Sequence, residues 1–177
     1  MTLRFPFSDQ KAADFDTAFR LIRLIHLVFL LANPVYGVLG VLLKWFGVQP
    51  EGGFTRLPPS TYNVLLLAVS VTAIVMAIIA LFIFPRQNSV QKLRERTSIS
   101  SVEELGQALA AIHMARMAMA NSIGVFGLVL FLLNGHLLHL FAFAGSAFVL
   151  MLMLVPNRLE WDAARKQLEY ERDGYTL

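Results

Sequence analysis

The chain has 177 residues, of which 56% are hydrophobic, only 15% are charged and none is cysteine. Soluble domains carry about a quarter charged residues, and a soluble bundle of wholly buried helices would still need a polar face toward water, so the composition points to a bilayer. The missing cysteine excludes disulfides, thiolate metal sites and cysteine nucleophiles. A net charge of +3, with no basic cluster interleaved by aromatics, offers nothing to a nucleic acid.

In chain order, residues 1–20 hold Asp9, Asp14 and Asp16. No small-residue cleavage pattern follows the first apolar run, so this stretch reads as a cytoplasmic or interfacial segment leading into an uncleaved anchor. No Asp, Glu, Lys or Arg occurs from Leu24 to Leu43, from Leu57 to Pro85, or from Met117 to Asn157. A crossing needs about 20 apolar residues, so each of the first two windows holds one helix. The third is long enough for two crossings and is broken by the turn dipeptide Asn134-Gly135. Four spans result, over 21–46, 62–84, 104–133 and 137–156.

The first span carries Asn33-Pro34, where the missing backbone donor predicts a kink at Pro34. The loop after it, Trp45 to Thr61, contains Gly47, Pro50, Gly52-Gly53 and Pro58-Pro59 and reads as ordered interfacial turns. The second span is the plainest, a lipid-facing or scaffold helix. Residues 85–103 form a polar loop ending in the capping box Ser101-Val102-Glu103-Glu104. The third span begins there and, at about 32 residues, spans about 50 Å, so its first turns project beyond the apolar core. Two small-residue stripes mark it: Ala111, Ala115, Ala118 and Ser122, and then Ala120, Gly124 and Gly127. Such spacings let helix backbones approach closely in lipid. The first span offers Gly37 and Gly40. After Pro156, residues 157–177 form a cytoplasmic tail with a short solvated or surface-lying helix and Trp161 at the interface.

Thirteen of the 15 Lys and Arg lie at or before the start of the first span, between Arg86 and Arg116, or after Pro156. The positive-inside bias therefore sets both termini and the middle loop in the cytoplasm.

The chain also repeats itself. Ile25-His26, Ala32-Asn33 and Gly37-x-x-Gly40 return as Ile112-His113, Ala120-Asn121 and Gly124-x-x-Gly127. The histidines and the glycine pairs share an offset of 87 residues. The expected fold is an all-α membrane protein whose four transmembrane helices form two parallel helical-hairpin repeats.

Residues 121–129, Asn-Ser-Ile-Gly-Val-Phe-Gly-Leu-Val, resemble the carboxylate-bearing helix of proteolipid (c-type) subunits of rotary ATPases. The duplicated hairpin is similar to the four-helix proteolipids of vacuolar-type enzymes, and to small bacterial four-helix membrane proteins with such a segment. The family's ion-carrying acid would fall on Asn121, and no Asp or Glu lies in the apolar core. Membrane proton relays need ionisable groups, so the departure disfavours an ion carrier and leaves a packing element with Asn33 and Asn121 as intramembrane polar groups.

His26 and His113, at equivalent repeat positions and one expected depth, form the rival candidate: two imidazoles that could ligate a haem b iron or a metal. His136 and His139 form a second polar site at the opposite face. No catalytic triad, paired carboxylates or phosphate loop is present. The expectation is a non-enzymatic protein of the bacterial inner membrane, an accessory subunit or self-associating scaffold whose partners are lipid, other membrane subunits or itself. The alternatives are a haem-b electron-transfer or anchor subunit, and a channel lined by Asn33, Pro34 and Asn121.

Overall fold

The computed structural model describes residues 7–48, 53–55, 57–83, 99 and 101–172, and among these there is helix and turn but no strand. The helices are α1 (Phe7–Trp45), α2 (Pro59–Ile78), α3 (Val102–Asn134), α4 (Leu137–Met153) and α5 (Arg158–Arg172), with a π-helical turn, Ile79–Ile83, continuing α2. Three helices are long and apolar enough to cross a membrane, Asp14–Trp45, Pro59–Ile83 and Val102–Asn134, or up to four if α4 and α5, bent by 46°, are counted as one broken crossing. Most of the expected loop 85–103 lies outside the described residues.

The local signals explain the helix ends. Pro59 starts α2 at a position where its missing donor costs nothing. The α3 capping box is complete: the Glu104 amide donates to Ser101 Oγ and the Ser101 amide to Glu104 Oε2, each at 3.2 Å. At the other end Gly135 takes the left-handed conformation, φ 74°, and its amide donates to the Phe131 carbonyl at 2.7 Å. The next two carbonyls of α3 are closed by the first loop. Phe54 N–H donates to the Leu132 carbonyl at 2.9 Å, and Thr55 Oγ1 to the Leu133 carbonyl at 3.3 Å. Gly53, at φ 81°, lies so close to Leu133 that a side chain there would strike its carbonyl. Helix-end carbonyls without partners are costly in an apolar medium, and this loop supplies them.

α3 is the central helix. α1 and α4 pack on it and on each other, α2 packs on α3, and α5 returns to contact α3. The two expected hairpins are therefore not packed alike: α3 and α4 are tight neighbours, whereas α2 is held mainly by α3. Differences from the sequence reading follow from tertiary contact. α1 starts at Phe7, well before the expected span, and Pro34 lies inside it. The helix beyond Pro156 lies on the bundle with one face docked and the other exposed. Trp161 is 1% exposed and Leu168 is buried with it. The Trp161 ring packs on Phe15 and Phe19, with centroids 5.4 and 5.2 Å away. Arg158 pins α5 to α1 through Asp16 at 2.6 Å, also engages Asp162 at 3.1 Å, and lies over the Phe19 ring.

Candidate functional site

The polar groups buried between α1, α3 and α5 form the most unusual feature of the molecule. His26 and His113, on α1 and α3, are buried among apolar residues, and Arg116, one turn on from His113, is buried too. His113 lies within electrostatic range of both His26 and Arg116. The Trp161 ring closes over the His113 ring at a centroid distance of 5.9 Å. Both nitrogens of His26, Nδ1 of His113 and Nε1 of Trp161 have no hydrogen-bond partner. Buried polar groups nearly always have partners, and orphans signal a missing water, ion or ligand. The structure thus brings together the two histidines singled out from the repeat and adds Trp161, whose aromatic neighbours are distant in sequence.

Arg116 is satisfied differently. Its Nε donates to the Ala80 carbonyl at 2.9 Å, and Ala80 sits inside the π-helical turn. Such turns shift the backbone hydrogen-bond register and occur at functional sites. Glu160 of α5 lies within electrostatic range of Arg116, so α1, α2, α3 and α5 all border this end of the bundle.

The depth of the two histidines follows from the α1–α3 register. Gly106 lies against Phe15 and Gly124 against Asn33, and both pairs are offset by 91 residues. The helices run parallel, so His26 stands level with Met117, one turn beyond His113. The expectation of equal depth, drawn from the repeat offset of 87, is corrected by four residues, or about 6 Å of rise. Met117 is fully buried and lies on the same stripe of α3 as His113. The helical spacing of His113 and Met117, four residues apart, was the sequence signal for it.

The α1–α3 packing on either side of the histidines is close. α1 and α3 are clamped together on both sides of the histidines, at Gly106 and at Gly124, where the Asn33 amide oxygen fills the space a Cβ would take. A porphyrin needs a slot of several hundred Å³. The two grooves described below lie elsewhere, and neither is lined by a histidine.

The intramembrane amides serve helix contact. Asn33, 1% exposed, donates from Nδ2 to the Phe29 carbonyl at 3.1 Å, with its oxygen set against Gly124. Asn121 Nδ2 donates to the Tyr36 hydroxyl across the α1–α3 interface at 3.4 Å. Pro34 borders a groove of about 460 Å³ between α1 and α4.

The small residues divide sharply. Ala120, Gly124 and Gly127 face inward, and a Cβ on Gly127 would come within 2.6 Å of Phe143 on α4. Gly37 and Gly40 of α1 accommodate Phe141 and Leu140 of α4. Ala111 and Ala118 are exposed, while Ala115 and Ser122 are partly so. At 100° per residue this stripe lies on the side of α3 away from the α1 seam. A second open feature is an apolar groove of about 660 Å³ between α2 and α4, floored by Ala73, Ala77 and Ile123.

At the other end of the bundle the Tyr62 hydroxyl and His139 Nδ1 share a hydrogen bond at 2.6 Å. The His136 and His139 rings meet edge to face at 5.4 Å. Two of these three were read from the sequence; Tyr62, which anchors α2 to α4, was not.

Comparison with family models, with curated proteins and with solved structures finds no match to this chain.

Proposed function

We propose that this chain is a non-catalytic, four-span protein of the bacterial inner membrane that works by helix–helix assembly, as a small accessory subunit or a self-associating scaffold. Both termini and the 85–103 loop lie in the cytoplasm, in line with the Lys and Arg distribution. α4, with 17 residues, falls at the short end of the range for a crossing and is the fourth span. The duplicated motif and the likeness of residues 121–129 to proteolipid subunits belong to this reading as packing features, since Asn121 replaces the acid.

The observation that carries the proposal is the outward stripe Ala111, Ala115, Ala118 and Ser122 on the central helix. The fold uses its other small stripe internally and leaves this one open. Without a hydrophobic drive between helices in lipid, small residues at such spacing are what allow a neighbouring helix to approach. The spending of both amides on the α1–α3 contact favours this reading over a channel.

The absence of native cysteine makes the test direct. Ala115→Cys and Ala118→Cys, each the only cysteine in its chain, should give disulfide-linked products in native membranes, either dimers or an adduct with one other subunit. Leu67→Cys on the lipid-facing side of α2 should give none. A strict monomer after gentle extraction, with no adduct from either α3 position, refutes the proposal.

A further inference from the structure

We propose that His26, His113 and Met117 form a binding site for one Cu(I) ion, closed at one end by Trp161 of α5. This goes beyond the assembly reading and does not depend on it. The argument begins with the orphans. Three imidazole nitrogens in one packed cluster have no partner, although His26 and His113 are 5% and 3% exposed. Each neutral imidazole carries one lone-pair nitrogen suited to a metal, its other nitrogen being an N–H donor, so one orphan on each ring is a candidate ligand. The 91-residue register sets His26 level with Met117 and one turn beyond His113, so two imidazoles and a thioether occupy one stretch of the α1–α3 seam. All three sit on long helices, whose backbones are fixed by the Gly106–Phe15 and Gly124–Asn33 contacts.

The donor set selects the ion. Thioether sulfur is a soft ligand that favours Cu(I), and imidazole also suits copper. Among the described residues no three His, Cys, Asp or Glu side chains gather as a metal site. Zn(II), which takes four ligands in structural sites and three protein ligands with water in catalytic ones, therefore lacks its usual partners. Cu(I) is satisfied by two or three neutral ligands and brings only one charge beside the Arg116 guanidinium. That guanidinium is already held by the Ala80 carbonyl and lies within range of Glu160. A bare ion needs no slot of the kind a porphyrin requires, and the Trp161 ring against His113 shields it from water and oxidants.

The test uses the full-length protein in detergent, first stripped of metal and then titrated anaerobically with Cu(I) against a chromophoric Cu(I) chelator. One Cu(I) per chain is expected, with X-ray absorption showing two nitrogen scatterers and one sulfur. Loss of a partner that merely orients a metal ligand costs 10–100-fold in affinity. His26→Ala or His113→Ala should therefore weaken binding by at least about 100-fold. Met117→Leu, a volume-conserving change, should leave the helical circular dichroism intact, remove the sulfur scatterer and weaken binding by about 10-fold or more. The proposal is overturned if the folded wild-type protein takes up no stoichiometric Cu(I). It is equally overturned if the His26→Ala/His113→Ala double variant binds as tightly, if Met117→Leu retains the sulfur signal, or if Zn(II) displaces Cu(I) at equal concentration.

Discussion

Gly124→Ala places a methyl group in the space occupied by the Asn33 amide oxygen. Asn33 has nowhere to go: it is almost fully buried and its nitrogen donates to the Phe29 carbonyl. Swinging the side chain aside would orphan a buried polar group, at about 1–3 kcal/mol. Keeping it in place forces α1 and α3 apart, and overpacking of this kind costs about 1–3 kcal/mol. Gly145→Ala on α4 is the matched control, because a Cβ there meets no atom within 4 Å. Replacing a mid-helix glycine by alanine gains about 1 kcal/mol at either site, and this gain cancels in the comparison. Gly124→Ala should therefore be less stable than Gly145→Ala by about 1–3 kcal/mol, measured by reversible unfolding in mixed micelles of increasing denaturing-detergent fraction. Shortening the opposing side chain, Asn33→Ser, should recover part of that loss in the Gly124→Ala background while destabilising the wild type. The reasoning fails if Gly124→Ala and Gly145→Ala unfold at the same detergent fraction, or if the Asn33 and Gly124 effects simply add.

Docking of α5 gives a second prediction: in Trp45→Phe, which leaves Trp161 as the only tryptophan, emission should be blue-shifted and resist aqueous iodide. Iodide quenching close to that of free tryptophan would show that the helix is not docked. The Arg158–Asp16 pair is about 40% exposed on each side, so a double-mutant cycle should return only about 0.2–1 kcal/mol, and the coupling should fade in 1 M salt. Gly53→Ala meets both a left-handed backbone and the Leu133 carbonyl, whereas Gly47→Ala, also at positive φ, has open space around it. The first should lower the thermal midpoint clearly more than the second, and equal shifts would deny the loop its capping role. Tyr62→Phe removes the hydrogen bond to His139 and should cost about 0.6 kcal/mol, the average for polar contacts between membrane helices, read in the same micelle unfolding assay.

Much of this architecture is written locally. Charge-free windows, read against the thickness of a bilayer, found the apolar helices, because transfer of a charge into lipid is prohibitive wherever the helix then packs. Ser101 and Glu104 marked the start of α3 and Asn134-Gly135 its end, since each motif satisfies backbone groups within four residues of itself. The glycines and alanines announced close helix approach, and Gly124, Gly127, Gly37 and Gly40 all take part in it. The paired histidines were legible as a candidate for the same reason: a polar ring in an apolar stretch is anomalous in any fold.

What the sequence left open is everything that depends on how one helix meets another. The repeat offset of 87 placed His26 beside His113, but α1 and α3 pack with an offset of 91, because interlocking at Phe15–Gly106 and Asn33–Gly124 decides the register and no periodicity records it. That single turn brings Met117 level with His26. Two small-residue stripes on α3 are equivalent by spacing, and only the placement of α1 and α4 shows which is filled and which is open. The tail beyond Pro156 has the polarity of a solvated helix, yet one face of it, through Trp161 and Leu168, closes the end of the bundle. Helix formation answers to neighbours a turn away, whereas register, facing and closure answer to shape complementarity between residues as far apart as Phe15 and Trp161.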